Sequence, residues 1–203
     1  MAINVHGHIW TGQDVEQRVE HYRHPEVTHT VLFGDDELVA EAQRRHPDFA
    51  IGFGTVSRGV SATPETIRRI VDRGLGGVKI IGIGRPYDDP GLFDMYEAIA
   101  EQGLPILFHT GYLALPREPV HDSFLFMRPG RLDTLARRFP SLVMIGAHLG
   151  QAWCEEACSV MGYHANVYFE MSGGTVKKKP LAWFQRLFPR PPAGASFGPA
   201  RPS

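Results

Sequence analysis

Residues 131–150 read RLDTLARRFPSLVMIGAHLG, and the fold turns on how this block is parsed. A helix over Arg131 to Phe139 gives way to a nearly all-apolar run, Leu142 to Gly150, with His148 close to its end. A strand that apolar is covered by helices on one face and by core on the other, which is how strands of parallel sheets are buried. Moving outward, the same unit recurs. Strands are predicted at Ile3 to Ile9, Val27 to Gly34, Phe49 to Val56, Gly77 to Gly82, Pro105 to Gly111 and Val167 to Gly173. Helices are predicted between them, at Asp14 to His24, Asp35 to His46, from Thr63 to a stop at Gly74, Pro90 to Gly103 and Gln151 to His164. Asp35 to His46 has an acidic first turn and a basic last turn, as the helix dipole favours. Thr63 stands at an N-cap position with Pro64 in the first turn. Alternation at this spacing means parallel strands joined by helical crossovers, either a doubly wound sheet or a (β/α)8 barrel.

Composition narrows the partners. Twenty-one Lys and Arg against 22 Asp and Glu leave a formal charge of −1, which offers no electrostatic reason to bind nucleic acid or an anionic membrane. The two cysteines, Cys154 and Cys158, are too few for a disulfide-stapled fold. They lie one helical turn apart, and packing is their expected role. No signal or anchor segment is read, so the expected location is cytoplasmic. Residues 1–188 read as one barrel domain. Residues 189–203, PRPPAGASFGPARPS, read as a disordered or loosely docked tail.

Ten histidines are the compositional oddity, and their placement sorts them. His6 and His8 end the first predicted strand, His109 the fifth and His148 the sixth. The C-terminal ends of parallel strands carry the active site in such folds. His6 and His8, two apart, point to one face of their strand. With His109 they make a three-nitrogen site that leaves a position open for water, and a cation held there activates that water near neutral pH. His21, His24, His46 and His164 stand at helix ends as solvated or capping residues, His29 is expected in the core, and His121 sits in a long loop within reach of substrate.

These residues resemble the amidohydrolase-related branch of the amidohydrolase superfamily, which includes aminocarboxymuconate-semialdehyde decarboxylase, resorcylate decarboxylase, oxalomesaconate hydratase and several lactonases. The carriers are NVHGHIW (4–10), GGVKIIG (76–82), PILFHTG (105–111), RFPSLVMIGAHLG (138–150) and NVYFEMSGG (166–174). The resemblance implies a TIM-barrel-like (β/α)8 fold of the α/β class, here incomplete, with about seven βα units and the eighth strand missing. It implies one divalent ion, zinc first and manganese second, held by His6, His8 and His109, with His148 as the catalytic histidine. Trp10, Lys79 and His121 are the expected substrate contacts. The activity implied is metal-dependent hydrolysis of a small carboxylated or cyclic substrate through metal-activated water. The alternatives are nonoxidative decarboxylation, or a truncated copy without turnover.

Two departures stand out. Asn4 replaces the usual aspartate ahead of the histidine pair. No eighth strand with its aspartate, the family's last ligand and proton acceptor, is found after Gly174; the nearest likeness, Phe197-Gly198-Pro199-Ala200, puts Ala200 in that place. An unclosed barrel leaves the first and seventh strand edges unpaired, to be covered by the tail or by a partner, with a homodimer as one option. Glu170 offers a carboxylate where the family pattern has no ligand. Lys79 is expected to pair with a carboxylate or substrate; its carbamylation in a binuclear site is the lesser reading, as is a TatD-like nuclease.

Overall fold

A computed structural model of the chain describes residues 2–112, 123–173, 176 and 178–187. Seven strands lie side by side in chain order, every neighbouring pair parallel: β1 (Ala2–Ile9), β2 (Val27–Gly34), β3 (Ala50–Ser57), β4 (Gly77–Ile81), β5 (Ile106–Phe108), β6 (Met144–Gly146) and β7 (Val167–Phe169). Helices α1 (Val15–Tyr22), α2 (Asp36–Arg45), α3 (Pro64–Asp72), α4 (Phe93–Glu101), α5 (Arg131–Arg138) and α6 (Cys154–Tyr163) carry the chain between or beyond them. Strictly sequential order excludes the doubly wound arrangement, in which strand order reverses at a switch point. It is the order of a barrel wall.

Curvature follows from one contact. Laid flat, β1 and β7 of seven strands would be roughly 29 Å apart at the spacing of about 4.8 Å between neighbours. Instead Nδ1 of His6 on β1 lies 2.8 Å from Oε1 of Glu170, the residue after β7. The sheet therefore curls until its two edges meet at their C-terminal ends. Among the described residues no eighth strand fills the gap between them.

Side-chain alternation divides the core into two layers. Val31 and Phe33 of β2, Phe53 of β3 and Leu107 of β5 join Ala147 in a small inner cluster. The intervening residues, among them Leu32, Val78, Ile80, Ile106, Phe108 and Met144, face the helices in the larger outer cluster. On β4 this alternation turns Lys79, between Val78 and Ile80, toward the interior.

Helix ends follow their local chemistry. Asp14 and Asp35 cap α1 and α2 by accepting backbone N–H bonds at Gln17 and at Glu37 and Leu38. Thr63 occupies the cap position of α3 without a side-chain cap bond; its neighbour Thr66 instead donates to the carbonyl of Ser61. The helix expected from Pro90 begins as a single 3-10 turn and becomes regular at Phe93. Strands β5 to β7 are three residues each, shorter than their apolar runs, so His109 and His148 lie beyond their strands rather than inside them.

A helix not anticipated from the sequence, α7 (Leu181–Leu187), sends Trp183, Phe184 and Leu187 into a satellite cluster with Leu149, Ala157, Cys154 and Cys158. Both cysteines are free and half-buried, packing as expected. His29 is half-buried rather than part of the core. His121, the 189–203 tail and the Phe197–Ala200 stretch lie outside the described residues. Among the described residues no helix is long and apolar enough to cross a membrane.

Candidate metal centre at the strand ends

Four imidazoles converge at the C-terminal rim. Ring centroids of His6 and His8 are 5.0 Å apart, those of His6 and His148 4.6 Å, and those of His148 and His109 4.8 Å. Each comes from a different kind of support. His8 ends β1 with its backbone gripped by α1: its N–H donates to Tyr22 Oη at 2.8 Å, and Arg18 Nε donates to its carbonyl at 2.5 Å. His109 is set by a backbone bond to Ile80 at 2.8 Å and by the buried Tyr87, whose hydroxyl donates to the His109 carbonyl at 2.8 Å.

His148 is held in a turn that is costly to form. Its φ is 62° and that of Leu149 is 46°, both left-handed and neither glycine. Such a conformation costs roughly 1–2 kcal/mol per residue for an L side chain. Glu170 braces the turn. Its Oε1 accepts the His148 N–H at 3.0 Å, its carbonyl accepts the Leu149 N–H at 2.7 Å, and its own N–H donates to the Gly146 carbonyl at 3.0 Å, the separation of an ordinary sheet bond. Ser172 completes the arrangement: its N–H donates to Glu170 Oε2, its hydroxyl donates to Oε1 at 2.7 Å, and its oxygen lies 2.9 Å from His148 Nδ1.

Protonation follows from these bonds. Burial first, then the neighbouring charges of Lys79 and other imidazoles, lowers His109 to about 3; burial and His6 lower His148 to about 4; burial, His6 and Lys79 lower His8 to about 4. All three are neutral at pH 7 and present lone pairs. His109 Nε2 is 3.1 Å from the Tyr112 carbonyl, which can only accept, so its proton sits on Nε2 and its lone pair on Nδ1. Burial pushes the Glu170 carboxyl up, but the close approach of His6 and the bonds from Ser172 outweigh it and hold the group at about 2.

The donor set fits a divalent cation. His6, His148 and Glu170 each offer a ligand atom within 4.8 Å of the others. Nδ1 of His6 lies 2.8 Å from Glu170 Oε1, and Nδ1 of His8 is buried without a hydrogen-bond partner among the described residues. Imidazole nitrogens buried beside an ionised carboxylate are what zinc or manganese binds.

Other residues fall around this group. Phe33, which the sequence reading passed over although it stands at the end of β2, is the floor: its ring meets those of His6 at 5.0 Å and His8 at 4.4 Å. Lys79 Nζ lies 4.8 Å from the same ring, fully buried. It makes no ion pair with a carboxylate among the described residues, contrary to that half of its expectation, because Glu170 is taken up by Ser172 and His148. Burial drops its ammonium to about 7, partly restored by the charge of Glu170. Trp10 is half-exposed and stacks on His8 at 5.3 Å. Asn4, in the place of the usual aspartate, accepts the His6 N–H at 3.2 Å. Glu170 was legible as a carboxylate and Ser172 only as part of NVYFEMSGG; nothing local marks their partnership with β1. A separate cavity of about 520 Å³ is lined by Gln151, Trp153, Cys154, Lys179 and Trp183, and not by the histidines.

Solved structures with this architecture include an uncharacterised TIM-barrel protein from Bordetella bronchiseptica (TM-score 0.60, 21% identity, covering 72% of this chain and 55% of that one). A 2,6-dihydroxybenzoate decarboxylase from Rhizobium matches with TM-score 0.55 at 11% identity, over 85% of this chain and 80% of that one. A 5-carboxyvanillate decarboxylase from Novosphingobium aromaticivorans, solved with bound manganese and 3-methoxy-4-hydroxy-5-nitrobenzoic acid, matches with TM-score 0.55 at 16% identity, over 86% and 68% of the two chains. The chain thus spans little more than half the length of the Bordetella barrel, and at these identities the likeness is one of fold. No curated protein matches. The family model described as amidohydrolase, by contrast, matches residues 4–197, nearly the whole sequence, and includes every histidine of the rim. The chain belongs to the amidohydrolase family.

Proposed function

We propose that the chain serves a metal-dependent, nonoxidative decarboxylase acting on a small carboxylated aromatic compound, a carbon–carbon lyase rather than a hydrolase. The observation that carries this reading is Lys79, a buried ammonium without a hydrogen-bond partner among the described residues, set beside the imidazole cluster. A substrate carboxylate or phenolate brought into the interior would supply the missing countercharge. Two of the similar structures are named as decarboxylases of hydroxylated aromatic acids, and one of them holds manganese.

His6, His8 and His109 are assigned to the cation, zinc or manganese, which when bound polarises the substrate's oxygens as a Lewis acid. Lys79 orients the acidic substrate from below, and Trp10 offers it an aromatic wall beside His8. His148 transfers the proton. Ser172 gives its only hydrogen to the ionised Glu170 and therefore accepts from His148 Nδ1–H, which leaves the His148 lone pair on Nε2. In the reaction His148 Nε2 first takes the proton of the substrate's ring hydroxyl; the bond between ring carbon and carboxylate then breaks, carbon dioxide leaves, and the electron pair left on carbon takes that proton back from His148, leaving a phenolate.

Incubation of the manganese- or zinc-loaded chain with 5-carboxyvanillate and with 2,6-dihydroxybenzoate should release carbon dioxide. His148→Ala should slow that release by ~10²–10⁴-fold, the usual contribution of a proton-transfer group. Hydrolysis of lactones or amides at the same site without decarboxylation would replace this reading by the hydrolase one. No turnover of either class by metal-loaded protein would overturn both.

A further inference from the structure

We propose that Glu170 is a positioning residue that sets two histidines at once: His148, through Ser172 and the backbone of the left-handed turn, and His6, through Nδ1. The proposal rests on the reading above only in taking His6 as a ligand and His148 as the proton-transfer group.

The first argument is lone-pair accounting. A carboxylate has about four acceptor positions. Two on Oε1 are engaged by the His148 N–H and the Ser172 hydroxyl, and one on Oε2 by the Ser172 N–H. A carboxylate so committed is poorly placed to serve as a ligand in its own right, although it belongs to the set of groups that could hold an ion. It is well placed to orient the groups that do. Metal-binding imidazoles commonly turn their second nitrogen toward a carboxylate, which fixes the ring and raises its basicity. His6 Nδ1 makes that approach at 2.8 Å from Oε1, and the one acceptor position not yet counted, on Oε2, leaves the carboxylate able to take its N–H.

The second argument is direction. Ser172 sits between Glu170 and His148 as a one-hydrogen relay, so an ionised Glu170 dictates which nitrogen of His148 carries the proton. The Glu170 backbone does the rest, bonding Gly146 on one side of the turn and Leu149 on the other. Thus a residue just past β7 spans the gap to β1 and also secures the exit of β6. This is the seam where the sheet order ends, and no backbone ladder is available there to do the same work among the described residues.

Two measurements on the full-length chain test this, neither requiring turnover. In the metal-free protein, imidazole nitrogen NMR shifts should show His148 protonated on Nδ1, and Ser172→Ala should move that proton to Nε2. Separately, Glu170→Gln should weaken manganese binding about 10–100-fold, the usual effect of losing a partner behind a ligand, while His6→Ala should weaken it much further. A wild-type His148 protonated on Nε2, or manganese binding by Glu170→Gln equal to wild type, would overturn the proposal. So would a loss in Glu170→Gln as complete as in His6→Ala, since Glu170 would then be a ligand itself. If Glu170→Gln does not fold, the Ser172→Ala tautomer decides. If these results hold while no substrate is decarboxylated, the positioning role stands and the proposed reaction falls.

Discussion

The two halves of the rim are built on opposite principles. On the side of β6 and β7, Glu170, Ser172 and the His148 turn satisfy one another, with a left-handed backbone held by hydrogen bonds. On the side of β1 and β4, His8 Nδ1 and Lys79 Nζ are buried with no hydrogen-bond partner among the described residues. Burial of unpaired polar groups is unfavourable and rare in native interiors. On the function proposed above, the first half holds geometry and the second receives the ligand.

The largest expected effect breaks the receptive half. Replacing His6 and His8 together by Ala should take bound metal from about one ion per chain to none, the change expected when two of three protein ligands are lost. Metal analysis after dialysis checks it, and the fold should persist, because the His8 backbone bonds to α1 do not use the ring. Retention of a full complement of metal would move the site toward His148 and Glu170.

Next comes Lys79→Met, which fills the same space without charge. The Lys79 ammonium titrates near 7 in the folded chain, below its ordinary 10.5. Between those values the unfolded chain binds the extra proton, so wild-type stability should rise with pH across that window, by at most about 1.4 kcal/mol per pH unit from this group. Lys79→Met should lack that slope and be relatively more stable toward pH 7. Parallel stability–pH curves for the two proteins would show that the ammonium already has a partner.

The smallest effect concerns the strained loop beyond the crowded half. Ala152 has φ of 83°, a left-handed value that glycine adopts without steric penalty. Ala152→Gly should raise stability by about 1 kcal/mol, the lower end of the left-handed penalty. The same experiment sharpens the comparison, since Ala152 is strained without a carboxylate brace. A destabilised variant would mean that the methyl group packs better than the backbone is strained.

How far the site was legible varies residue by residue. His6, His8, His109 and His148 could be placed together because each follows an apolar run, and parallel strands bring such ends to one rim. Their ring contacts run in a chain, His8 to His6 to His148 to His109. Phe33 could have been found by the same rule. Glu170 was visible as a carboxylate but not as an organiser, since its partners His6 and His148 lie 164 and 22 residues away. The short strands β5 to β7 were overdrawn because apolar character continues past the point where the backbone leaves the ladder. Helix α7 escaped notice beside a proline-rich stretch.

What the chain's own order of residues settled is the repeating unit: apolar runs and capped helices are local preferences, readable within a dozen positions, and they imply parallel strands with histidines at their exits. Which carboxylate faces which imidazole, which lysine is left without a partner, and where the backbone turns left-handed were decided by curling the sheet. Only that closure brings β1 against the residue after β7, and the energies of those contacts depend on neighbours far away in the chain.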